Sequence, residues 1–395
     1  MASTFEFVVD RSIHGRIYPA MAQHQAEPYT MAWREFDQHW PYTVPLRLQE
    51  YCDSHDASIA LYHSDQSAAA GWYPIALGWF DFDIDYFALL PSVVLNSVQQ
   101  GSIKLLFYYH EGDNPARIRH RLDCLCEIHS CDPNCYLFVI NNSAAGKIQN
   151  FIFFPDSELW FWQRNRRVPA LPFNRNSRSR KFTALVRTHK DYRMAVMADL
   201  WRLGILDQSY WSYCEPGNIA VDQCPVAIDE ISDLWSTIEQ FQKQVPQLAD
   251  DLTQQQRNDH GHIVESYFND SYFHIVLETH FDADQSGGTL LSEKTFKPIK
   301  HAQPFFVVGP AGSLQCLRDL GYRTFDHVID NSYDSVENNT QRWLALRESI
   351  VQTAKQDTWA LALACQADCI HNQTLFCASK HARLSKLAQQ IYEHC

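Results

Sequence analysis

Short apolar runs recur along the chain, separated by turn or amphipathic segments. Residues 103–109 (Ile-Lys-Leu-Leu-Phe-Tyr-Tyr), 136–140 and 151–154 each read as a strand. Pro115 stands where a helix running through His129 begins, since proline suits the first helical position. The first half therefore predicts strand, helix, strand and a further strand, an open and mostly parallel α/β sheet. The first hundred residues give a less regular pattern.

The alternation resumes after a polar stretch. Residues 181–187 predict a strand and 192–203 a helix stopped by Gly204. Residues 229–252 read as largely helical and 273–277 as a short strand. A helix capped by Ser292 leads into a strand at 304–308, and Gly309-Pro-Ala-Gly312-Ser313 opens a helix over 314–320 that Gly321 ends. Residues 322–325 then predict a short strand, and helices fill the chain from about Asn338. The expected organisation is an N-terminal α/β domain at 1–175, a second Rossmann-like domain at 176–375, and a last helix at 376–395 crossing back to the first.

The helix beginning at Ser292 has an unusual charge order. Glu293, Lys294 and Lys297 fall in its first turn and a half. A carboxylate is expected near a helix N-terminus, but two lysines there oppose the dipole, and a bound anion would explain them. Pro298 should end or kink this helix. Arg187, Lys190 and Arg193 add positive charge where residues 181–187 end, the edge at which α/β sheets bind ligands.

Composition narrows the alternatives. With 395 residues, 46% apolar and 13% aromatic, the chain predicts a fully folded globule of two domains. A formal charge of −13 argues against a general nucleic-acid binder. Seven Arg or Lys and no acid fall within 164–181, which marks either a solvated linker or a cleft edge meeting an anionic substrate. The N-terminal segment lacks signal-peptide features, and no apolar run approaches a membrane span, so a soluble cytoplasmic protein with reduced thiols is expected. Cys124, Cys126, Cys131 and Cys135, near His120 and His129, lack paired C-x2-C spacing and read as structural thiols rather than a zinc site. Asp282 and Asp284 form a weak metal pattern, and no metal is assigned to them. Dinucleotide, phosphate-loop, zincin and serine-hydrolase motifs do not occur.

Three segments in order, 181–193, 275–280, and Ser292-Glu-Lys-Thr-Phe-Lys-Pro-Ile299 through Tyr333-Asp334, resemble the nucleotide-binding half of a GT-B glycosyltransferase. The group resembled is distantly related to α1,3-fucosyltransferases and to uncharacterised bacterial and viral sugar transferases. The resemblance implies two Rossmann-like domains with a cleft between them and a nucleotide-sugar donor. It also implies a glycan or similar hydroxyl acceptor and an inverting reaction. Glu293 is then expected near ribose or sugar hydroxyls, with Lys294, Lys297, Arg187, Lys190 and Arg193 around the diphosphate and no metal or other cofactor required. Ser292, Glu278 and His280 join this donor set. Inversion needs a base from the first domain. Glu111 is the candidate, with Asp113 and His110 behind it, because they follow the strand at 103–109. A nucleotide-sugar epimerase or hydrolase, and a non-catalytic carbohydrate-binding protein, are the alternatives. Trp160, Trp162 and Trp211 could serve sugar stacking in the last case but more often pack in cores.

Overall fold

The computed structural model describes residues 3–10, 13, 16–17, 48–49, 52, 57–63, 70–78, 80–248, 261–282 and 286–394. Asp284 and the end of the helix expected at 229–252 lie outside them. The chain divides into two compact units, Met1–Asp156 with Ser379–Cys395, and Ser157–Ala378. The first boundary therefore falls about twenty residues before the one expected at 175.

The first unit contains a six-stranded sheet, all parallel, in the order β2-β1-β3-β4-β5-β6. Its strands are β1 (Ser3–Val9), β2 (Ala57–His63), β3 (Gly71–Leu77), β4 (Ile103–Tyr109), β5 (Tyr136–Ile140) and β6 (Phe151–Phe153). β4 and β5 are almost wholly buried, which is why they read as continuous apolar runs. Phe107, Phe138 and Phe151 stack across β4, β5 and β6 at centroid separations of 5.5 and 5.1 Å. Helix α1 (Ser92–Gln99) precedes β4, and α2 (Pro115–Ile128) follows it. Pro115 opens α2 as expected, and the Asn114 side chain caps it by accepting from Ala116 and Arg117 backbone N–H. The C-terminal residues close onto this sheet: Lys104 Nζ donates to His394 O at 2.5 Å, and Phe5 meets Tyr392 edge-on.

The four cysteines of interest sit around the end of α2. Cys126, Cys131 and Cys135 are buried, with the Cys126 and Cys135 Sγ atoms 3.7 Å apart. His120 is exposed, and His129 turns to Asp85 at 2.8 Å. Among the described residues no group of three His, Cys, Asp or Glu is arranged to hold a metal ion.

The second unit contains a four-stranded parallel sheet in the order β10-β9-β7-β8, made of β7 (Arg180–Thr188), β8 (Ser209–Glu215), β9 (Ser271–Leu277) and β10 (Phe305–Val308). Its helices are α3 (Asp156–Arg164), which begins at the unit boundary, then α4 (Asp191–Arg202), α5 (Leu234–Phe241), α6 (Glu265–Asp270), α7 (Glu293–Lys300), α8 (Ser313–Asp319), α9 (Asn339–Lys355) and α10 (Thr358–Ala364). The last helix, α11 (Gln366–Tyr392), contains the second boundary. Two Rossmann-like α/β units are thus the architecture. No helix among the described residues is long and apolar enough to cross a membrane.

Three local expectations fail for identifiable reasons. Residues 322–325 form no strand, because the Asn372 side chain bonds both Arg323 N and Arg323 O and Phe325 takes a left-handed φ of 62°. Helix α7 continues through Pro298 to Lys300. Proline removes only the bond to Lys294 O, while the N–H groups of His301, Ala302 and Gln303 still bond carbonyls of the last turn. Within 229–248, only α5 and short 3₁₀ turns are helical.

At the amino-terminal side of the second sheet, the rings of His274 and His301 both pack on Phe268, at 5.5 and 4.6 Å. His274 Nδ1 and His301 Nε2 are buried without hydrogen-bond partners. Burial, reinforced by the charge of Lys297 on His274 and of Lys300 on His301, pushes both down to about 3. Below pH 6.5 the unfolded chain takes up protons that the folded chain refuses, so this contribution is fully present above pH 6.5 and is lost as pH falls toward 3. Urea denaturation is expected to show stability falling by about 1.4 kcal/mol per pH unit for each ring once pH drops below about 6. The slope should be shallower in His301→Gln; an unchanged slope would contradict the burial argument.

Candidate functional site

The carboxyl-terminal edge of the second sheet gathers most of the predicted donor residues around one carboxylate. Glu278 follows β9 directly, is fully buried, and extends the ladder by donating its N–H to Val308 O at 3.0 Å. Its Oε atoms accept from Ser292 N at 3.1 Å, Ser292 Oγ at 2.5 Å, Thr295 Oγ1 at 2.5 Å and Thr279 N at 3.1 Å. Ser292 Oγ in turn accepts from Lys294 N. In a capping box the residue three after the cap, a Glu or Gln, bonds back to the cap's own N–H. Here that place is Thr295, and the carboxylate arrives from Glu278 on the neighbouring strand instead. The anion implied by the charge order of α7 is therefore, at the helix terminus itself, a side chain of the protein.

The Lys294 ammonium touches that cap as well, with Nζ 3.3 Å from Ser292 Oγ. Lys294 Nζ is 3.3 Å from Thr279 Oγ1 and 3.1 Å from Glu293 Oε1. Lys190, the N-cap residue of α4, donates from Nζ to Thr279 O at 2.7 Å. Two ammonium groups from different βα units thus converge on a single threonine. Arg187 lies near the end of β7, with Nε 3.3 Å from Thr188 Oγ1. His280 is half-buried two residues beyond Glu278. Lys297, a turn further along α7, is half-buried and lies close enough to His274 to depress its protonation.

Arg193 is placed differently from the expected phosphate ligand. Its guanidinium is buried and donates to Thr188 O at 3.1 Å and Glu278 O at 2.5 Å, with Nε to Tyr192 OH at 3.1 Å. It ties the ends of β7 and β9 together and fixes the backbone that carries Glu278 and Thr279. Tyr192 also donates to Glu278 O, and burial raises its hydroxyl pKa.

Helix α8 repeats the capping device. Gly312 provides no side-chain cap, and the buried Asp334 carboxylate accepts from Leu314 N and Gln315 N at 2.8 and 2.9 Å. Burial raises the Asp334 pKa despite those bonds. A pocket of about 610 Å³ opens beside it, lined by Gly312, Arg318, Asp326, Asn331, Asp334 and Glu337 among others. Its carboxylates and amide suit hydroxyl groups better than phosphate. Gly309, between β10 and α8, has no room for a side chain, since a Cβ would sit 2.9 Å from Ser313 Oγ. By contrast, α4 has no side-chain cap at Lys190.

Sequence reasoning missed Thr279 and Thr295, whose roles depend on Glu278 reaching across the sheet. It also missed His189, held by Tyr213 OH at 2.8 Å and Asp191 at 3.2 Å, and buried Arg342, which bonds Gly309 O and Phe281 O at 3.1 and 2.6 Å. The position of His189 directly after an apolar strand was the available signal.

The proposed base residues belong to the first unit. His110 directly follows β4, Glu111 is exposed with its carboxylate 3.7 Å from His110 Nε2, and Asp113 accepts from Tyr109 OH at 2.5 Å. At the β1/β3 switch point of the same sheet, Asp10 is buried, accepting from Tyr73 OH at 2.8 Å and pairing with Arg16 at 2.5 Å. Of the aromatics weighed for stacking, Trp211 packs on Phe241 at 5.6 Å and Trp160 is partly exposed.

Two all-parallel sheets, each followed at its carboxyl edge by helix starts and polar loops, define a protein of two Rossmann-like units. A solved structure of OtsA in its apo form is similar over 95% of this chain and 82% of that one, at 10% identity and a TM-score of 0.40. An α,α-trehalose-phosphate synthase (UDP-forming) from Burkholderia vietnamiensis is similar over 96% and 84%, at 10% identity and a TM-score of 0.34. No protein-family model matches the chain, and no curated protein matches it.

Removing the central carboxylate should unfasten the site. Glu278→Ala leaves several buried donors unsatisfied, at about 1–3 kcal/mol each, so denaturant unfolding should show a loss of at least about 3 kcal/mol. A loss within experimental error would mean that α7 is capped by other means.

Proposed function

We propose that this protein is a GT-B-type glycosyltransferase. In this reading it moves a sugar, a hexose or deoxyhexose, from a nucleotide donor to a hydroxyl of a glycan or related acceptor in the cytoplasm. The observation that carries the reading is the convergence of Lys190 and Lys294 on Thr279 at the carboxyl edge of a parallel sheet. Glu278 and Asp334 already satisfy the starts of α7 and α8, so a diphosphate would be held by lysine side chains and the N–H groups that open α4. Arg187 and Lys297 extend the positive field. Glu293, His280 and the pocket beside α8 supply partners for ribose and sugar hydroxyls.

In the proposed inverting reaction the acceptor oxygen attacks the anomeric carbon, the bond to the diphosphate oxygen breaks, and Glu111 takes the acceptor proton. Asp113 and His110 are the neighbouring groups that would orient or replace it. Lysine ammonium groups offset the charge arriving on the departing diphosphate, so no divalent cation is invoked. The relation to α1,3-fucosyltransferases belongs to the same proposal and rests on the Ser292-Glu-Lys-Thr-Phe-Lys-Pro-Ile299 segment.

Thermal-shift screening with UDP, GDP, CMP and dTDP sugars tests the reading. One of these should stabilise the protein by about 2.7 kcal/mol at a hundredfold excess over Kd, and Lys294→Ala should remove the shift. Silence from all four families would contradict donor binding. Once a donor is known, Glu111→Gln should lower kcat by about 10²–10⁴ while leaving donor binding intact. Stoichiometric conversion of the donor to an isomer without acceptor would instead identify an epimerase.

A further inference from the structure

His189 stands between the end of β7 and Lys190, and its ring reaches β8, the start of α4 and the loop that follows β8. Nδ1 lies 2.8 Å from Tyr213 OH on β8. Nε2 lies 3.2 Å from Asp191 Oδ1, in the first turn of α4, and 3.1 Å from Asn218 O, in the loop after β8. Those partners fix the tautomer. A carboxylate and a backbone carbonyl only accept, so Nε2 carries the proton, and Nδ1 of the neutral ring accepts from the tyrosine hydroxyl. Burial pushes the Tyr213 pKa up, which keeps that hydroxyl a donor.

The loop after β8 packs directly on the ring. A Cβ at Gly217 would lie 2.7 Å from His189 Cδ2 and 2.8 Å from Cγ, and no left-handed φ calls for glycine there, so the residue is required for space alone. His189 bears on the donor edge through the next two residues of the chain. Lys190 donates to Thr279 O at 2.7 Å, and no side chain caps the helix that it opens. Asp191 is the acid in the first turn of that helix. Left loose, its carboxylate would compete with a diphosphate for the opening N–H groups and would repel it. The imidazole N–H engages that carboxylate, and the same nitrogen takes the loop after β8.

We propose that His189 is a positioning residue for the donor diphosphate, its Nε2–H holding Asp191 and the loop after β8 so that Lys190 and the open start of α4 stay set for the anion. The role rests on the donor reading given under Proposed function and adds to it a residue that acts through Lys190 and Asp191 without touching the nucleotide. Tyr213 contributes by accepting no proton from the ring: its O–H occupies Nδ1 and leaves the N–H at Nε2. Gly217 contributes by leaving the ring room to lie there.

The test uses whichever of UDP, GDP, CDP and dTDP stabilises the intact protein, titrated calorimetrically into variants that melting curves show to be folded. His189→Gln places an amide N–H near the position of Nε2 and should bind within about threefold of the unaltered protein, whereas His189→Asn, whose amide reaches only the position of Nδ1, should lose about tenfold or more. Gly217→Ala keeps the imidazole but displaces it, and should lose affinity to a similar degree. Combining Gly217→Ala with His189→Asn should weaken binding no further than His189→Asn alone, because both act on one contact. Equal affinities in the Gln and Asn variants, or melting temperatures that fall while affinity holds, would overturn the proposal and leave the donor reading standing. Silence of the unaltered protein toward all four diphosphates would overturn the donor reading itself, and the role of His189 with it.

Discussion

The second unit is organised around the buried carboxylate of Glu278. One side chain on the end of β9 closes the start of α7, through Ser292 and Thr295, while its own carbonyl receives Arg193 and Tyr192 from α4. Two βα units are thus locked to one strand at a single residue. Such a group is tolerated in a dry interior only because donors surround it, and removing any partner leaves the others poorly satisfied. The consequence for function is positional. Lys294 Nζ bridges the capping Ser292 Oγ and Thr279 Oγ1, and Lys190 also arrives at Thr279. Two ammonium groups then stand above a rigid floor of backbone and carboxylate, where the proposed donor diphosphate would be held.

The same economy of design recurs at α8, where Asp334 performs the capping that Gly312 cannot. In both cases the carboxylate comes from outside the helix it caps. Each therefore fastens two elements together as well as satisfying orphan N–H groups. Arg342 adds a third tie between the loop after β10 and Phe281. These buried charges fix the loops at the carboxyl edge.

Much of the fold was legible because parallel strands buried on both faces appear as short apolar runs; β4, β5, β7 and β9 fall where those runs do. The cap at Ser292 was legible too, being a local signal. What could not be read were interactions between residues far apart in sequence. Glu278 lies fourteen positions from the serine it bonds, so α7 looked like a helix awaiting a foreign anion. Arg193 looked like a ligand for the diphosphate, yet three backbone carbonyls draw it inward. Asn372 replaces a strand ladder at Arg323, and nothing near 322–325 announces it. Local propensity sets which elements can form, and these distant polar contacts decide where they stop and which way their charges face.

The central claim is that Lys190 and Lys294 act together on one anionic group. A double-mutant cycle with Lys190→Ala, Lys294→Ala and the double variant, read by calorimetric titration of the stabilising nucleoside diphosphate, measures this directly. The account predicts non-additive losses, with a coupling of at least about 0.5 kcal/mol between the two lysines. Strictly additive losses, or full binding in the double variant, would contradict it.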